Sequence, residues 1–287
     1  MSRPAMIVDG MSVFHTVAGP AAMLTNGYTY SFVVQLTSAV KKFKPKGIFV
    51  CWDMGYDKRL AIHPGYKADR PHKMNDTLRK YHADVCTFLH FAGIDQLKAP
   101  GYEADDNGAM LANTLESAVL VSNDKDWIQL VRPGISLYQK VRLEGRKAEK
   151  KEIKAENFAE LTGYGNPEEF VKALCAMGDG VDRIDGIDGI GPGTLKAYLM
   201  GVRISPNKQK ILDDFFAGDP LYLRNRQLID LRDIRSIDGL DIHFGNFDEW
   251  RVKSLLEEFG FASMLKNFPL WVSPYKEASP DVEADPA

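Results

Sequence analysis

The chain predicts an α/β fold, with a mostly parallel central sheet flanked by helices and an all-helical region after it. Three observations predict this. Ala5–Asp9, Gly47–Asp53 and Ala118–Ser122 are short apolar runs with the length of buried strands, each ending in or just before an aspartate. Stretches of helical period separate them, so successive strands are joined by crossovers and run parallel. From about residue 155 the strand pattern gives way to helical periods alone.

Ala5-Met-Ile-Val-Asp9 is the first strand, and Phe32, Leu36, Ala39, Val40 and Phe43 mark a helix over 28–43. Gly47–Asp53 is the second strand. Gly55 to Asn75 is polar, basic and poor in apolar positions, which predicts a functional loop or mobile arch. Leu78, Tyr81, Val85, Phe88, Leu89 and Ala92 give a helix over 76–92, and another opens at Glu103. The third strand is Ala118–Ser122. Asn166-Pro167-Glu168-Glu169 combines an N-cap, a first-turn proline and two dipole-complementing acids, opening a helix towards Met177. Gly186–Gly193 is a tight glycine-rich turn before a helix over Thr194–Met200, and further helices are expected at 207–216, 221–231 and 247–259. The expected divisions are therefore a core over 1–155 with the arch at about 55–92, a helical region over 156–276 and a disordered acidic tail over 277–287.

Composition narrows the function classes. At 45% hydrophobic and 26% charged the chain is ordinary for a soluble domain, and no apolar run approaches the ~20 residues of a membrane helix. Met1-Ser-Arg-Pro lacks a signal-peptide pattern, and Cys51, Cys86 and Cys175 have no paired spacing, which fits reduced core thiols in the cytoplasm. The net charge of −3 hides an asymmetry: residues 41–80 carry eleven Lys/Arg against four Asp, and 138–154 carry seven against three Glu. A nucleic-acid partner is therefore compatible with the charge.

Nine acids carry most of the chemical information: Asp9, Asp53, Glu103, Asp105, Asp106, Asp124, Asp126, Asp179 and Asp182. Taken singly, each has a plain explanation as a turn or helix-cap residue. Their conjunction is harder to explain that way, because Asp9, Asp53 and Asp124 all fall at the carboxyl ends of strands, where α/β sheets bind ligands. Carboxylates are hard oxygen donors that repel one another unless cations sit among them, which suits Mg²⁺ or Mn²⁺ and an enzyme acting on phosphates. Gly189-Ile190-Gly191, followed by a helix containing Lys196, fits a helix-hairpin-helix whose backbone N–H groups approach a phosphate. Otherwise it is a plain helix–helix turn. Tyr66, Lys67 and Arg70 suit base stacking and phosphate neutralisation, against the alternative of a solvated loop. Trp52, Trp127, Trp250 and Trp271 lie in apolar surroundings and read as core, and the six histidines have no metal-binding spacing.

In this order the segments Ile7–Gly10, Phe49–Asp53, Tyr66–Arg70, Tyr102–Asp106, Val121–Trp127 and Met177–Asp182, with the glycine hairpin, resemble the 5′-nuclease family over roughly residues 5 to 200. That family includes phage flap endonucleases and the 5′-3′ exonuclease domain of bacterial DNA polymerase I. The resemblance implies a PIN-like core, a helical arch and a helix-hairpin-helix DNA-binding region. It implies that Asp9, Asp53, Glu103, Asp105 and Asp106 surround one divalent metal, Mg²⁺ or Mn²⁺. Asp124, Asp126, Asp179 and Asp182 hold a second, some ligands acting through water. By the same resemblance Lys67 and Arg70 would reach the scissile phosphate from the arch, and Tyr66, Gly189, Gly191 and Lys196 are expected to contact DNA. The resemblance also implies a K⁺ bound at the hairpin through backbone carbonyls. The implied substrates are DNA with a 5′ flap, a nick or a single-stranded 5′ end, with RNA–DNA hybrid left open and specificity set by junction shape. With no polymerase region, the expectation is a free-standing, phage-type monomer in the cytoplasm of a bacterial or phage-infected cell.

Three alternatives share some of these features. A DNA-binding accessory protein could keep the scaffold without catalysis. A phosphatase of the haloacid dehalogenase type needs a second acid two residues after its nucleophilic aspartate, and Asp9 is followed by Gly10 and Met11. An RNA-cleaving PIN nuclease has the acidic sheet edge but no need of the hairpin.

Overall fold

Ala5–Asp9, all five residues buried, form the central strand β1 of a seven-stranded sheet. The structure is a computed structural model that describes residues 3–16, 26–69, 74–141 and 149–279. After β1 come α1 (Gly10–His15), α2 (Gly27–Phe43), β2 (Gly47–Cys51), α3 (Asp57–Ile62), α4 (Asp76–Phe91) and β3 (Asp95–Lys98). They are followed by α5 (Ala104–Thr114), β4 (Ala118–Val121), a 3-10 turn (Lys125–Leu130), β5 (Ile135–Val141) and β6 (Glu149–Ile153). The helices α6 (Phe158–Thr162), α7 (Pro167–Met177), α8 (Pro192–Leu199), α9 (Pro206–Phe216) and α10 (Pro220–Ile229) lead to β7 (Asp241–His243). The chain closes with α11 (Glu249–Glu258), α12 (Ala262–Lys266) and α13 (Phe268–Ala278).

The strand order is β6-β5-β4-β1-β2-β3-β7. The five inner strands are parallel, while β6 and β7 close the edges antiparallel to β5 and β3. Side chains alternate across a strand. Met6 and Val8 thus enter a core with α2, α4 and α11–α13, while Ala5 and Ile7 enter the opposite core with α5, the 3-10 turn and α7. Fully burying Met6, Ile7 or Val8 contributes roughly 1.5–3 kcal/mol each. A third core, built on Val171, Cys175, Leu195, Leu212, Phe215 and Tyr222, holds the helical region together. Among the described residues no helix is long and apolar enough to cross a membrane.

Several expectations are corrected. The region after 155 is not purely helical: β7 returns to pair with β3, and α11–α13 cover the first sheet face. Thr37 Oγ1 and Tyr275 OH meet at 2.5 Å, and Arg3 Nη2 donates to the Glu277 carbonyl over 2.9 Å, so the last helix belongs to the core. That helix runs to Ala278, one residue beyond the expected start of the acidic tail at Glu277, and residues 280–287 lie outside the described residues. The stretch expected to be a functional loop or mobile arch contains α3, which packs on α10; Leu60 and Tyr66 join the third core. Trp52 and Trp127 are buried as expected, but Trp250 on α11 is 69% exposed.

Candidate active site

Asp9 ends β1 and caps α1, its Oδ1 accepting from the Ser12 N–H (2.9 Å) and its Oδ2 from Ser122 Oγ (2.6 Å). Gly10 follows because the Trp52 ring lies against it: an added Cβ would sit 2.4 Å from the indole. Asp53, just past β2, accepts from the Ala104 N–H at 2.7 Å, which ties the second strand to the start of α5. There Glu103 and Asp106 form a capping box, so the helix start itself fixes two carboxylates. Asp124 caps the 3-10 turn through the Asp126 N–H (3.0 Å). Because β1 lies between β2 and β4, these groups share one sheet edge.

The helical region supplies the rest. Asp179 Oδ1 accepts from the Val181 and Asp182 amides at 2.8 and 3.3 Å, and its Oδ2 from Lys125 Nζ at 2.7 Å. A cleft lined by Arg59, Asp105, Lys125, Asp126, Asp179 and Asp182 joins the two sets of acids.

Two buried cations occupy this cluster. Arg59 of α3, only 6% exposed, donates to Glu103 Oε2 (2.7 Å), Asp105 Oδ2 (3.0 Å), both oxygens of Asp106 (2.9 and 3.0 Å) and the Leu228 carbonyl (3.1 Å). Lys67 forms an ion pair with Glu103 Oε1 and lies 3.9 Å from Asp182 Oδ2. Its backbone has φ 52°, a left-handed conformation costing ~1–2 kcal/mol for a residue with a Cβ, and its N–H donates to the Asp182 carbonyl (3.1 Å). Arg183, with φ 60°, pairs with Asp69, and its carbonyl lies 2.8 Å from His63 Nε2. Residues 63–69 are thereby fastened to the 179–184 turn.

Burial raises most of these carboxylates. Burial pushes Asp9 up to about 7, against hydrogen bonds from Ser122 and Ser12, with the Asp53 and Asp124 charges adding to the rise. Burial, then the Asp124 charge, pushes Asp126 to about 7. Asp53, Asp105 and Asp106 are also raised, chiefly by burial. Glu103 is the exception at this edge: burial opposes its charge, but Arg59 and Lys67 outweigh it and hold the group below its ordinary value. Asp105 Oδ1 is buried without a hydrogen-bond partner. Among the described residues no three Asp, Glu, His or Cys side chains stand close enough to hold an ion as placed; Arg59 and Lys67 lie between carboxylates.

The nine acids predicted from the sequence thus fall around one edge and one cleft. Lys67 lies among them, buried instead of extended from a loop. Tyr66 departs further from expectation. Its ring is 4% exposed, packed edge-on to Tyr56, and its hydroxyl donates to Glu103 Oε2 (2.8 Å), so no face is open for base stacking. Arg70 lies outside the described residues. Gly189 has φ 74°, and Gly189, Gly191 and Gly193 all have open space where a Cβ would stand. Lys196 is exposed on α8. Arg59, Ser122 and Lys125 were not singled out in the sequence; the one available signal for Arg59 was an acidic helix start that needs a buried cation.

The 5′-3′ exonuclease N-terminal resolvase-like domain matches residues 4–163. A 5′-3′ exonuclease of Aquifex aeolicus is 29% identical over 283 residues, covering 91% of this chain and 93% of the relative. The flap endonuclease Xni of Shewanella denitrificans is 27% identical, covering 74% of this chain and 83% of its own. A bacteriophage T5 flap endonuclease, solved with DNA and metal ions, shares the fold with TM-score 0.62 at 20% identity, covering 96% of this chain and 99% of that one. With its first 160 or so residues matched throughout and its sheet edge built from the acids described above, the chain belongs to the 5′-3′ exonuclease family.

Proposed function

We propose that the protein is a structure-specific 5′ nuclease, a flap endonuclease and 5′-3′ exonuclease that hydrolyses DNA phosphodiesters at 5′ flaps, nicks and 5′ ends. One observation carries this reading: acids from five separate chain segments gather at the carboxyl edge of the sheet and the adjoining cleft. The donor set fits divalent metal. It consists of carboxylate oxygens only, several are pushed towards neutrality by burial, and Asp105 Oδ1 is buried without a partner.

Asp9, Asp53, Glu103, Asp105 and Asp106 would surround one Mg²⁺ or Mn²⁺, and Asp124, Asp126, Asp179 and Asp182 a second. When bound, two such ions ~4 Å apart supply an activated water and charge stabilisation for in-line displacement at phosphorus. The protein's part is to orient and to neutralise. Ser122 holds Asp9, the Ala104 amide holds Asp53, and the Asp126 amide holds Asp124, each by one hydrogen bond. Lys67 places a positive charge beside the carboxylates, where a scissile phosphate would develop charge, and Arg70 is a second cation for the same phosphate. The open backbone at Gly189 and Gly191 suits close approach to duplex phosphate, with Lys196 beside it and K⁺ as the bound monovalent cation. Junction shape would then select the substrate, with RNA–DNA hybrid as a further one, by a monomer in the cytoplasm of a bacterial or phage-infected cell.

A 5′-labelled flap, a nicked duplex and a single strand, each incubated with Mg²⁺ and with Mn²⁺, test the reading. Short oligonucleotides released from the flap and mononucleotides from the nick are expected. Binding without cleavage of any substrate would favour an accessory DNA-binding protein.

A further inference from the structure

The two basic stretches of the sequence, 41–80 and 138–154, meet around the ring of Tyr138 on β5. Lys42 Nζ lies 4.2 Å from the ring centroid and Lys150 Nζ 5.4 Å, while Phe43 packs edge-on at 5.1 Å. Lys140 stands directly opposite Lys150 across the β5–β6 pair, and like charges so placed destabilise a sheet. Among the described residues no carboxylate pairs with any of the three lysines. The acids of β6 are engaged elsewhere, Glu149 with Lys151 (3.0 Å) and Glu152 with Ser136 (2.8 Å) and Lys154 (3.5 Å). Burial, then the Lys140 and Lys42 charges, hold the Lys150 ammonium below its ordinary value. An anion among these cations would relieve the repulsion.

The place of the cluster limits which anion it meets. The Lys140 N–H donates to the side-chain oxygen of Asn123 at 3.1 Å, one residue before Asp124. A cleft lined by Lys150, Tyr138, Asn123 and Ser122 leads from the lysines to the hydroxyl that holds Asp9. Tyr138 packs on the α2 face of the sheet, whereas Phe170 of α7, whose helix carries the core beneath the glycine hairpin, packs on the opposite face. Lysines and hairpin therefore flank the acidic edge from opposite sides. Phe43 and two ammonium groups take up the Tyr138 ring, so the cluster suits backbone phosphates and reads no base. We propose that Lys42, Lys140 and Lys150 form a second phosphate-binding site, which holds the backbone of the DNA duplex arm lying across the junction from the 5′ strand. This rests on the nuclease reading above, which places the cut at the edge between the two sites.

Salt titrations of DNA binding by the full chain in EDTA test the site with two probes. One is a 5′ flap with a duplex arm on each side of the junction. The other is a duplex with a 5′ overhang, which keeps only the arm adjoining the 5′ strand. Replacing all three lysines with glutamine is expected to reduce the slope of log affinity against log salt by about three units on the two-arm probe. On the one-arm probe the slope should match wild type. Lys140→Gln alone should remove about one unit, again on the two-arm probe only. An unchanged slope on the two-arm probe, or an equal reduction on both probes, would overturn the site. If the triple variant does not fold, Lys140→Gln, at an exposed position, decides by the same comparison. A wild-type chain that cuts neither probe with Mg²⁺, while the variants still lose slope on two arms alone, would remove the nuclease reading and leave the site standing.

Discussion

Lys125 Nζ donates to Asp179 Oδ2 over 2.7 Å, so the acids past β4 and the acids past α7 share a cation across the cleft. Asp124 caps the 3-10 turn and Asp179 accepts from two amides of its own turn, so alanine at either would lose a backbone hydrogen bond as well as a charge. Asparagine keeps the acceptor. Asp124→Asn and Asp179→Asn are each expected to lower single-turnover cleavage of a 5′ flap by several orders of magnitude. DNA affinity in EDTA should hold or rise, because a charge that repels phosphate is gone. Near-normal turnover in both would remove these residues from the metal site.

Lys67 is held by Glu103 and lies close to Asp182, in a left-handed backbone conformation. Lys67→Ala should slow turnover roughly 10²–10³-fold, or ~3–4 kcal/mol of transition-state stabilisation, with a much smaller loss of ground-state affinity. Lys67→Arg should restore part of the rate, since it returns the charge without the compact shape. Single-turnover rates and binding at fixed salt check this. Equal losses of rate and affinity would make Lys67 a DNA-holding residue only.

Gly191 has φ −89° and open space at its Cβ position, so valine is accommodated there without strain in the fold. Gly191→Val should leave the melting temperature near wild type and weaken duplex-containing substrates most, by blocking backbone approach. Lys196→Ala should reduce the slope of log affinity against log salt by about one unit if it contacts a phosphate. Salt titrations of a nicked duplex and of a single strand read both effects; equal losses on the two would give the hairpin another role.

Asp230, just past α10, is paired with Arg226 at 3.1 Å and Arg232 at 2.6 Å. Burial opposes its charge, but the Arg232 hydrogen bonds and charge outweigh it, so its carboxyl lies below the ordinary value of 3.8. A depressed folded pKa contributes stability that is present above the unfolded pKa and lost as pH falls through the folded one. Asp230→Asn should therefore cost about 1 kcal/mol from pH 5 to 8, the scale of one net hydrogen bond. The gap to wild type should close below pH ~4. Urea unfolding at several pH values measures it, and a gap that widens in acid would contradict the assignment.

What could be read in advance followed chemical contrast. β1, β2 and β4 are apolar runs flanked by acids, and their positions were evident. β3 (Asp-Gln-Leu-Lys), β6 (Glu-Lys-Lys-Glu-Ile) and β7 (Asp-Ile-His) are short and polar, with β6 and β7 at the sheet edges where solvent satisfies one side, so no apolar run announces them. The acids were legible because many unbalanced carboxylates recur at strand ends. Arg59 was not, because one arginine in a basic stretch resembles any solvated one, and only the fold turns it inward. Trp250 misled for the opposite reason: apolar neighbours in sequence sit on the buried face of α11, while the indole faces out.

The return of β7 and α11–α13 to the sheet makes the α6–α10 region an insertion, with both of its stems rooted in one discontinuous domain. A chain cut short after residue 240 would not be a nuclease core trimmed of its appendage. It would lack an edge strand and the lid of an entire hydrophobic face. Within the insertion, α7 is tied to the sheet through Phe170 and α10 through the Gln129–Ile229 hydrogen bond, while α8 and α9 place their buried side chains in the third core alone, so variation in length or angle is tolerated at α8 and α9 and not at the stems.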